Sequence, residues 1–408
     1  MYIIIGQGAA GFSAARTLRR LKPALGITMI TSERDSFYSR IDLPDIIKGR
    51  IRPEDAPRAT ADRFAELNIV CRMGETVARL LPGERALLLT SGERLHYEKL
   101  LLATGSSPVL PSLSGIDSTG VFSLWTLEDA RRIMAACATA RRAVVIGAGL
   151  IGLKTATALR ARGLEVAVVE SLPTVMPRQL DAVAAGIVES GLHDLGIQVL
   201  TGTRVSGLDA ESDRVNGVSA GERSLPCDLV VCAVGVRPNI ALAREAGLKT
   251  GLGISVDTFQ RTSDPHIFAA GDAAESRDCL TGQCVVPAIW PVAVEQGRLA
   301  AYAMTSRPLP GDACLAMNSV DIAGVPLVSF GDVNGGPDDD ILVSRRGNAY
   351  RKLVRRDGVL RGALCLGDIR QAGVLGAMIR QGMPVGQADP LSAHFTWADR
   401  VPETGWIA

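Results

Sequence analysis

The chain carries the pattern Gly-x-Gly-x-x-Gly twice, each time between an apolar run and a helix-like segment. In this setting the first glycine allows a tight turn, and the second lets the backbone approach a pyrophosphate. The third lets the helix pack close to the strand, so that its N-terminal amides face the phosphates. Two copies predict two bound dinucleotides, and two dinucleotides in one chain suggest electron transfer from one to the other. The copies are Gly6, Gly8 and Gly11 after residues 1–5, and Gly147, Gly149 and Gly152 after residues 143–146.

An acidic residue follows each pattern at the end of the next apolar run. Glu170 lies 23 residues after Gly147, and Glu33 lies 27 residues after Gly6. This placement suits a carboxylate that accepts both hydroxyls of an adenosine ribose, and the alternative for either residue is a solvated strand end. No Arg or Lys follows Glu170 directly, so a 2′-phosphate would meet an unpaired carboxylate there. The second site is therefore predicted to favour NADH over NADPH.

The composition favours an α/β fold with aliphatic cores. Hydrophobic residues make up 47% of the 408 residues and aromatic residues only 4%, with 43 glycines. This balance suits parallel sheets covered by helices on both faces, and the length suggests two or three domains. A net charge of +1 gives no indication of nucleic acid or an anionic membrane as partner. Because the sequence opens on a strand and lacks an 18-residue apolar run, we expect no signal peptide, no membrane span and a cytoplasmic protein.

The eight cysteines show no metal-binding spacing. Without a CxxC pattern, a zinc or iron–sulfur site is not expected, and no metal is predicted. Cys227 and Cys232 are placed on one apolar strand, too far apart for a disulfide. Cys279 and Cys284 flank a turn at 280–283 that could bring them together. In a reduced cytosol, two free thiols are the favoured interpretation of that pair.

The glycine patterns and the linkers between them divide the chain into four segments. Residues 1–112 contain the first pattern, and 113–238 contain the second. Residues 239–311 follow with a further strand and the helix after residue 290. Residues 312–408 read as a small α+β domain without a third glycine pattern. Within it we predict strands at 319–322, 327–331, 350–355 and 359–366 and a helix at 371–381.

Together the motifs resemble the FAD-dependent pyridine nucleotide–disulfide oxidoreductases. The resemblance implies two Rossmann-like domains, for FAD and NAD, with the second inserted in the first. Residues 1–112 and 239–311 would be the two parts of the FAD-binding domain, and 113–238 would be the NAD-binding domain. The implied FAD-binding residues are Gly6, Gly8, Ala10, Gly11, Glu33, Arg40, Val77, Ala103, Thr104, Gly105, Gly271, Asp272, Trp290 and Pro291. The implied NAD-binding residues are Gly147, Gly149, Leu150, Ile151, Gly152, Glu170, Val234 and Gly235. The cofactors would be FAD and NADH.

Within that family the chain is most similar to rubredoxin reductases, NADH oxidases and the flavin-binding part of nitrite reductase. NADH oxidases of this type carry a redox cysteine in a Ser-Phe-x-Ser-Cys stretch, whereas this chain has Arg40 in that place. The resemblance therefore implies a member without the redox cysteine. Arg40 would be a cation near the flavin or its phosphates, or else part of a surface ion pair. Relatives continue the second pattern with Gly-Leu-Glu, and Lys154 replaces that glutamate. It would lie near the nicotinamide and flavin, or point outward.

The resemblance implies an FAD-dependent NADH:acceptor oxidoreductase. Hydride would pass from NADH to flavin N5, and electrons would then reach a protein acceptor. That acceptor would be rubredoxin, ferredoxin or an iron–sulfur subunit of a larger complex. The domain at 312–408 would cover the flavin or carry an interface, and an oligomer is possible. Two alternatives are reduction of oxygen or a small molecule, and a redox-responsive interaction flavoprotein.

Overall fold

The computed structural model describes residues 1–309 and 314–385. Up to residue 140 the elements are β1 (Tyr2–Ile5), α1 (Ala9–Leu21), β2 (Ile27–Thr31), α2 (Leu43–Lys48), α3 (Ala61–Glu66), β3 (Ile69–Met73), β4 (Val77–Leu81), β5 (Ala86–Leu89), β6 (Arg94–His96), β7 (Lys99–Leu102), β8 (Ser106–Pro108), β9 (Val121–Ser123) and α4 (Leu127–Cys137). Short 3-10 helices lie at Arg40–Asp42, Pro53–Asp55, Pro82–Glu84 and Gly271–Ala273.

The next part of the chain contains β10 (Arg142–Ile146), α5 (Leu150–Ala161), β11 (Glu165–Val169), α6 (Ala182–Asp194), β12 (Ile197–Leu200), β13 (Val205–Glu211), β14 (Arg214–Ala220), β15 (Arg223–Pro226), β16 (Leu229–Cys232), β17 (Val236–Pro238), α7 (Ala241–Glu245), β18 (Ile254–Ser255), β19 (Ile267–Ala269), β20 (Ala274–Arg277), β21 (Cys284–Val285) and α8 (Trp290–Met304). The last part contains β22 (Met317–Ile322), β23 (Val325–Gly331), β24 (Asp340–Arg346), β25 (Ala349–Arg356), β26 (Val359–Leu366) and α9 (Ala372–Gln381).

The chain divides into two compact units. The first contains Met1–Pro108, Trp125–Leu127 and Val236–Cys314, and the second contains Val109–Leu124, Glu128–Gly235 and Leu315–Ala408, each as far as its residues are described. This division is coarser than the four segments predicted from the sequence. The boundaries after residues 112, 238 and 311 therefore stay a prediction.

The first unit is built on a five-stranded parallel sheet in the order β19-β7-β1-β2-β3. Its two faces are both buried, which explains why β1 is apolar throughout: Tyr2 and Ile4 belong to one core cluster, and Ile3 and Ile5 to the other. Helices α1 and α8 pack on the first face, where a Cβ at Gly297 would come within 2.1 Å of the Ala10 carbonyl oxygen. Only glycine permits this approach of the two helices.

The second unit repeats this plan with a parallel sheet in the order β12-β11-β10-β16-β9. The predicted α/β fold class is confirmed by these two sheets. Each unit also has a three-stranded antiparallel sheet that our sequence analysis missed, β4-β5-β6 in the first and β13-β14-β15 in the second. β6 and β15 have only three and four residues and are largely exposed, and the second half of β13 is exposed, so the periodicity of these strands is weak.

The described part of the C-terminal domain is a five-stranded antiparallel sheet in the order β22-β23-β26-β25-β24 with α9 packed on it. The four predicted strands and the helix are confirmed to within one or two residues. Strand β24 was missed, because it is largely exposed and its apolar run stops after Val343. Residues 312–313 and 386–408 of the predicted domain lie outside the described residues. Among the helices of the described segments, none has the length and apolar character needed to cross a bilayer.

Candidate dinucleotide sites

The first glycine pattern forms a tight turn between β1 and α1. Gly6 has φ of +103°, which L side chains rarely adopt, and a Cβ there would lie 2.1 Å from the Ala103 carbonyl oxygen. A Cβ at Gly11 would lie 2.0 Å from the Gly6 carbonyl oxygen. Both contacts are with backbone, which cannot move aside as a side-chain tip could. The turn therefore requires glycine at both positions.

The second pattern has the same geometry between β10 and α5. Gly147 has φ of +105°, and a Cβ there would lie 2.5 Å from the Ala233 carbonyl oxygen. A Cβ at Gly152 would lie 2.0 Å from the Gly147 carbonyl oxygen. Ala103 and Ala233 thus occupy equivalent places beside the two turns. The two units therefore contain the same glycine turn, formed by different residues.

The middle glycine of each turn faces open space. A Cβ at Gly8 or Gly149 would meet no atom within 4 Å. Each of these glycines is the N-cap of its helix, with no side-chain cap bond and no acidic residue in the first turn. The first amides of α1 and α5 are therefore free to bind an anion. Both turns fit a pyrophosphate, which is the group that the sequence pattern predicts for them.

Glu33 is held by two neighbouring side chains. Arg40 donates from Nη2 to Glu33 Oε1 at 2.7 Å, and the Tyr38 hydroxyl donates to Oε2. Of the two interpretations of Arg40 from the sequence, the ion pair is present, although it is half-buried: the side chains are 32% and 23% exposed. The role of Arg40 toward the flavin or its phosphates stays a prediction. Its partner is the carboxylate predicted to bind ribose.

Glu170 is held by backbone amides instead. Its Oε2 accepts from Ala148 N at 2.8 Å, and its Oε1 accepts from Leu172 N at 2.9 Å. The carboxylate thus ties the second glycine turn to the loop after β11. No lysine or arginine of the described residues forms a salt bridge with it. The charge is therefore not neutralised by a cation, which fits the predicted preference against a 2′-phosphate.

Asp272 and the segment 103–105 lie together in the first unit. Ser106, directly after that segment, donates its hydroxyl to Asp272 Oδ2 at 2.7 Å. Gly271 has φ of +77°, and its N–H donates to Gln296 Oε1 at 2.8 Å. Gln296 is 4% exposed, and it links the Gly-Asp pair to α8. Gln296 could have been predicted as a site residue because it lies within the motif that begins α8. Ser106 could not, because no motif includes it.

Asn239 is a site residue that the sequence analysis missed. Its Nδ2 donates to the Thr104 carbonyl oxygen at 2.9 Å, and Thr104 Oγ1 donates to the Asn239 carbonyl oxygen at 2.8 Å. Its own N–H donates to the Gly105 carbonyl oxygen. These bonds fix residues 103–105 from a segment more than 130 positions away. No local pattern marks such a residue.

Helix α8 begins at Trp290, one residue before the predicted start, so Pro291 is its second residue, and its N-cap has no side-chain bond. Trp290 stacks on Phe37 with 6.1 Å between ring centroids. Val77 is buried at the start of β4, and its side chain packs in a core cluster. Its predicted contact with FAD stays a prediction.

The remaining residues predicted for NAD lie around the second turn. Leu150 and Ile151 are the first residues of α5, and Ile151 is 39% exposed. Val234 is 42% exposed, and it precedes Gly235, whose φ is +122°. Lys154, one turn into α5, is half-buried, and its ammonium group has no salt bridge within residues 1–309 and 314–385. The place of Lys154 near the nicotinamide and flavin, or on the outer side of α5, stays a prediction.

All eight cysteines lie in the described residues, and none of them forms a disulfide. The turn predicted at 280–283 is present, and it pairs Cys284 with Arg277 rather than with Cys279. The placement of Cys227 on a strand was wrong: it lies between β15 and β16, next to Asp228, whose carboxylate accepts from the amides of Arg141 and Arg142 before β16 begins. Burial raises the pKa of Cys71 and of Cys232 to about 11, so these thiols stay protonated at neutral pH.

Residues 1–297 match the family model of the pyridine nucleotide-disulphide oxidoreductases, and residues 317–383 match the C-terminal domain of rubredoxin NAD+ reductase. The chain belongs to the pyridine nucleotide-disulphide oxidoreductase family. The family and its structural neighbours are FAD-containing, NADH- or NADPH-dependent reductases. The chain is therefore an NAD(P)H oxidoreductase with FAD and a nicotinamide dinucleotide as cofactors, as the resemblance implied.

Named relatives cover several electron-transfer roles. An NADH oxidase from Methanocaldococcus jannaschii is 34% identical over 80% of this chain and 76% of its own. The epsilon subunit of NADH-dependent phenylglyoxylate dehydrogenase from Aromatoleum evansii is 31% identical over 93% and 91%. The chain spans about half of a Bacillus subtilis nitrite reductase, covering 48% of it at 30% identity. A ferredoxin reductase from Rhodopseudomonas palustris superposes with a TM-score of 0.84 at 32% identity, over 90% and 91% of the chains.

Proposed function

We propose that the chain is an FAD-dependent NADH:acceptor oxidoreductase that delivers electrons to a protein. The observation that carries this proposal is the repeated glycine turn, each copy with an open middle glycine and an uncapped helix N-terminus. Each turn is followed by a carboxylate placed for a ribose. When bound, the nicotinamide and the flavin supply the hydride transfer and the onward release of electrons. The chain supplies binding, orientation and electrostatics.

The proposed roles of the residues follow from their contacts. The amides of α1 and α5 would hold the FAD and NADH pyrophosphates, and Glu33 and Glu170 would accept the ribose hydroxyls. Asp272 would bond the ribityl chain. The uncapped N-terminus of α8 would favour negative charge on the flavin, since the partial positive end of a helix stabilises an anion.

The proposed acceptor is an iron–sulfur protein, either rubredoxin or ferredoxin, or an iron–sulfur subunit of a larger complex. Arg40 stands where relatives have a redox cysteine, so no thiol relay is expected there. The names of the relatives are in line with this acceptor class: a ferredoxin reductase, a subunit of a dehydrogenase and a rubredoxin reductase domain. Reduction of oxygen remains the second candidate, because an NADH oxidase is 34% identical.

Anaerobic titration with NADH is expected to reduce one flavin per NADH, without a second two-electron equivalent. A redox disulfide would consume that second equivalent, and the described cysteines form no disulfide. The double variant Cys279→Ser, Cys284→Ser should keep its turnover with an artificial acceptor. A second equivalent that disappears in this variant would instead assign the pair as a redox disulfide.

The acceptor class is tested by steady-state turnover of NADH with ferredoxin, rubredoxin or oxygen alone. Electron delivery to a protein predicts turnover with at least one iron–sulfur protein well above the rate with oxygen. Turnover that is fastest with oxygen and unaffected by either protein would favour the oxidase.

NADH is expected to reduce the flavin faster than NADPH, and Glu170→Ala should narrow this difference. Removing the carboxylate removes its repulsion of a 2′-phosphate, and a change of about 1.4 kcal/mol corresponds to about tenfold. The measurement is the rate of flavin reduction under anaerobic conditions with each nucleotide. Glu165→Ala, at the exposed start of the same strand, is the control and should leave the ratio unchanged. Equal rates of flavin reduction by NADH and NADPH in the unaltered protein would show that Glu170 does not select between the two nucleotides.

A further inference from the structure

Tyr38 bridges the Glu33 carboxylate to a distant part of the backbone. Its hydroxyl donates to Glu33 Oε2 and accepts from the N–H of Leu127 at 3.0 Å. The side chain is only 5% exposed. Burial raises the pKa of Tyr38 above its usual value, so the hydroxyl stays protonated and remains a donor. One buried hydroxyl therefore links the predicted ribose-binding carboxylate to the backbone of Leu127, which lies 89 positions after Tyr38.

Arg40 forms a second bridge between the same two parts of the chain. It donates from Nη2 to Glu33 Oε1 at 2.7 Å and from Nη1 to the Trp125 carbonyl oxygen. Its guanidinium carbon lies 5.0 Å from the Trp125 ring centroid and 5.8 Å from that of Tyr38. Cation–π contacts at these distances add to the hydrogen bonds. The guanidinium is thus held on several sides.

The two bridges end on Trp125 and Leu127, the ends of the three-residue segment Trp125–Leu127, which we call the strap. The strap belongs to the first compact unit, whereas the residues on both sides of it belong to the second. Leu127 is fully buried and is the first residue of α4. Both hydrogen bonds of the strap with Tyr38 and Arg40 are made by its backbone, and the Trp125 ring adds the cation–π contact with Arg40. Tyr38 and Arg40 therefore contribute to the position of the strap.

These donors also orient Glu33. Each carboxylate oxygen accepts one bond from Tyr38 or Arg40 and keeps further acceptor capacity. With both oxygens held, the plane of the carboxylate is set before a ligand arrives, and the remaining lone pairs are available to two neighbouring hydroxyls. Setting a binding group in advance lowers the cost of ligand binding.

We propose that Tyr38 and Arg40 are positioning residues for FAD, which orient Glu33 for the adenosine ribose and make FAD affinity depend on the docked strap. This rests on the proposed role of Glu33 in the FAD site. Because such coupling is reciprocal, FAD should also stabilise the strap. The strap acts through Tyr38 and Arg40, with no contact to FAD required.

The test is FAD titration of the apoprotein of Tyr38→Phe, with ADP as a second ligand that probes the adenosine end while saturating NAD+ occupies the second dinucleotide site. We expect the Kd for both ligands to rise about tenfold, the effect of one lost buried hydrogen bond. The matched control is Tyr2→Phe in the same unit, which loses the bond from its hydroxyl to the Met304 carbonyl oxygen at 2.9 Å. Tyr2 is also buried, at 7% exposure, so both variants should lose similar thermal stability. Only Tyr38→Phe should lose affinity.

Hydrogen exchange gives a second readout. FAD should slow exchange of the Leu127 amide in the unaltered protein, and this protection should be lost in Tyr38→Phe.

If Tyr38→Phe does not fold, Trp125→Leu tests the same coupling, since it removes the cation–π contact and keeps the backbone carbonyl. It should weaken FAD and ADP binding several-fold. Unchanged affinity in the folded variants would overturn the proposal, whereas an unaltered apoprotein that binds no FAD would overturn the proposed function itself.

Discussion

Gly149→Ala should abolish most NADH-dependent reduction while FAD remains bound. A Cβ at Gly149 meets no protein atom within 4 Å, and its φ of −78° suits alanine, so the fold should tolerate the change. The added methyl would occupy the space in which the backbone approaches the pyrophosphate. We expect kcat/KM for NADH to fall about 100-fold, which corresponds to about 2.7 kcal/mol. The measurements are the rate of flavin reduction and the flavin content by absorbance.

Gly8→Ala is the matched counterpart in the first turn. A Cβ at Gly8 would also meet no atom within 4 Å, so the variant should fold. The added methyl should lower the fraction of the protein that contains FAD. Gly186→Ala in α6 is the neutral control, because that position has open space and no positive φ. Alanine in a helix should leave activity unchanged and stability equal or slightly higher. A Gly149→Ala protein with normal NADH kinetics would show that no dinucleotide binds at the second turn.

Asp272→Ala should strongly reduce the FAD content of the purified protein. Asp272 Oδ2 accepts from Ser106 Oγ at 2.7 Å, and in the proposed site the carboxylate also bonds the ribityl chain. Its loss would leave the Ser106 hydroxyl and the ligand hydroxyls without a partner. We expect the Kd for FAD to rise by about 10- to 100-fold, the cost of one to two unsatisfied groups of about 1.4 kcal/mol each. Flavin content and titration of the apoprotein measure this.

Two further variants make the Asp272 result interpretable. Ser106→Ala removes only the protein partner, and it should weaken FAD binding less than Asp272→Ala does. Asp62→Ala, on an exposed position of α3 in the same unit, should leave FAD binding unchanged. Full FAD occupancy in Asp272→Ala would exclude Asp272 from the flavin site.

The glycine turns were predictable because their chemistry is local. A strand, a residue with φ near +100° and a helix N-terminus lie within about six positions in each copy, so a short pattern specifies them. The buried runs at Tyr2–Ile5 and Arg142–Ile146 likewise predicted parallel strands, and the family follows from the order of the motifs. The exposed strands were missed because they lack a long apolar run that a local pattern could detect. Strand β24 is an example, since its apolar run stops after Val343.

The partners of the site residues were decided by the tertiary structure. The sequence placed Glu33 and Arg40 in one site, but not the bond between them, nor the Tyr38 bridge to Leu127. It also gave no sign that Asn239 holds Thr104. These contacts join residues up to 135 positions apart, and any one pairing depends on how whole strands and helices pack. Local periodicity specifies elements and turns, whereas the orientation of a carboxylate depends on donors that only the assembled fold brings to it.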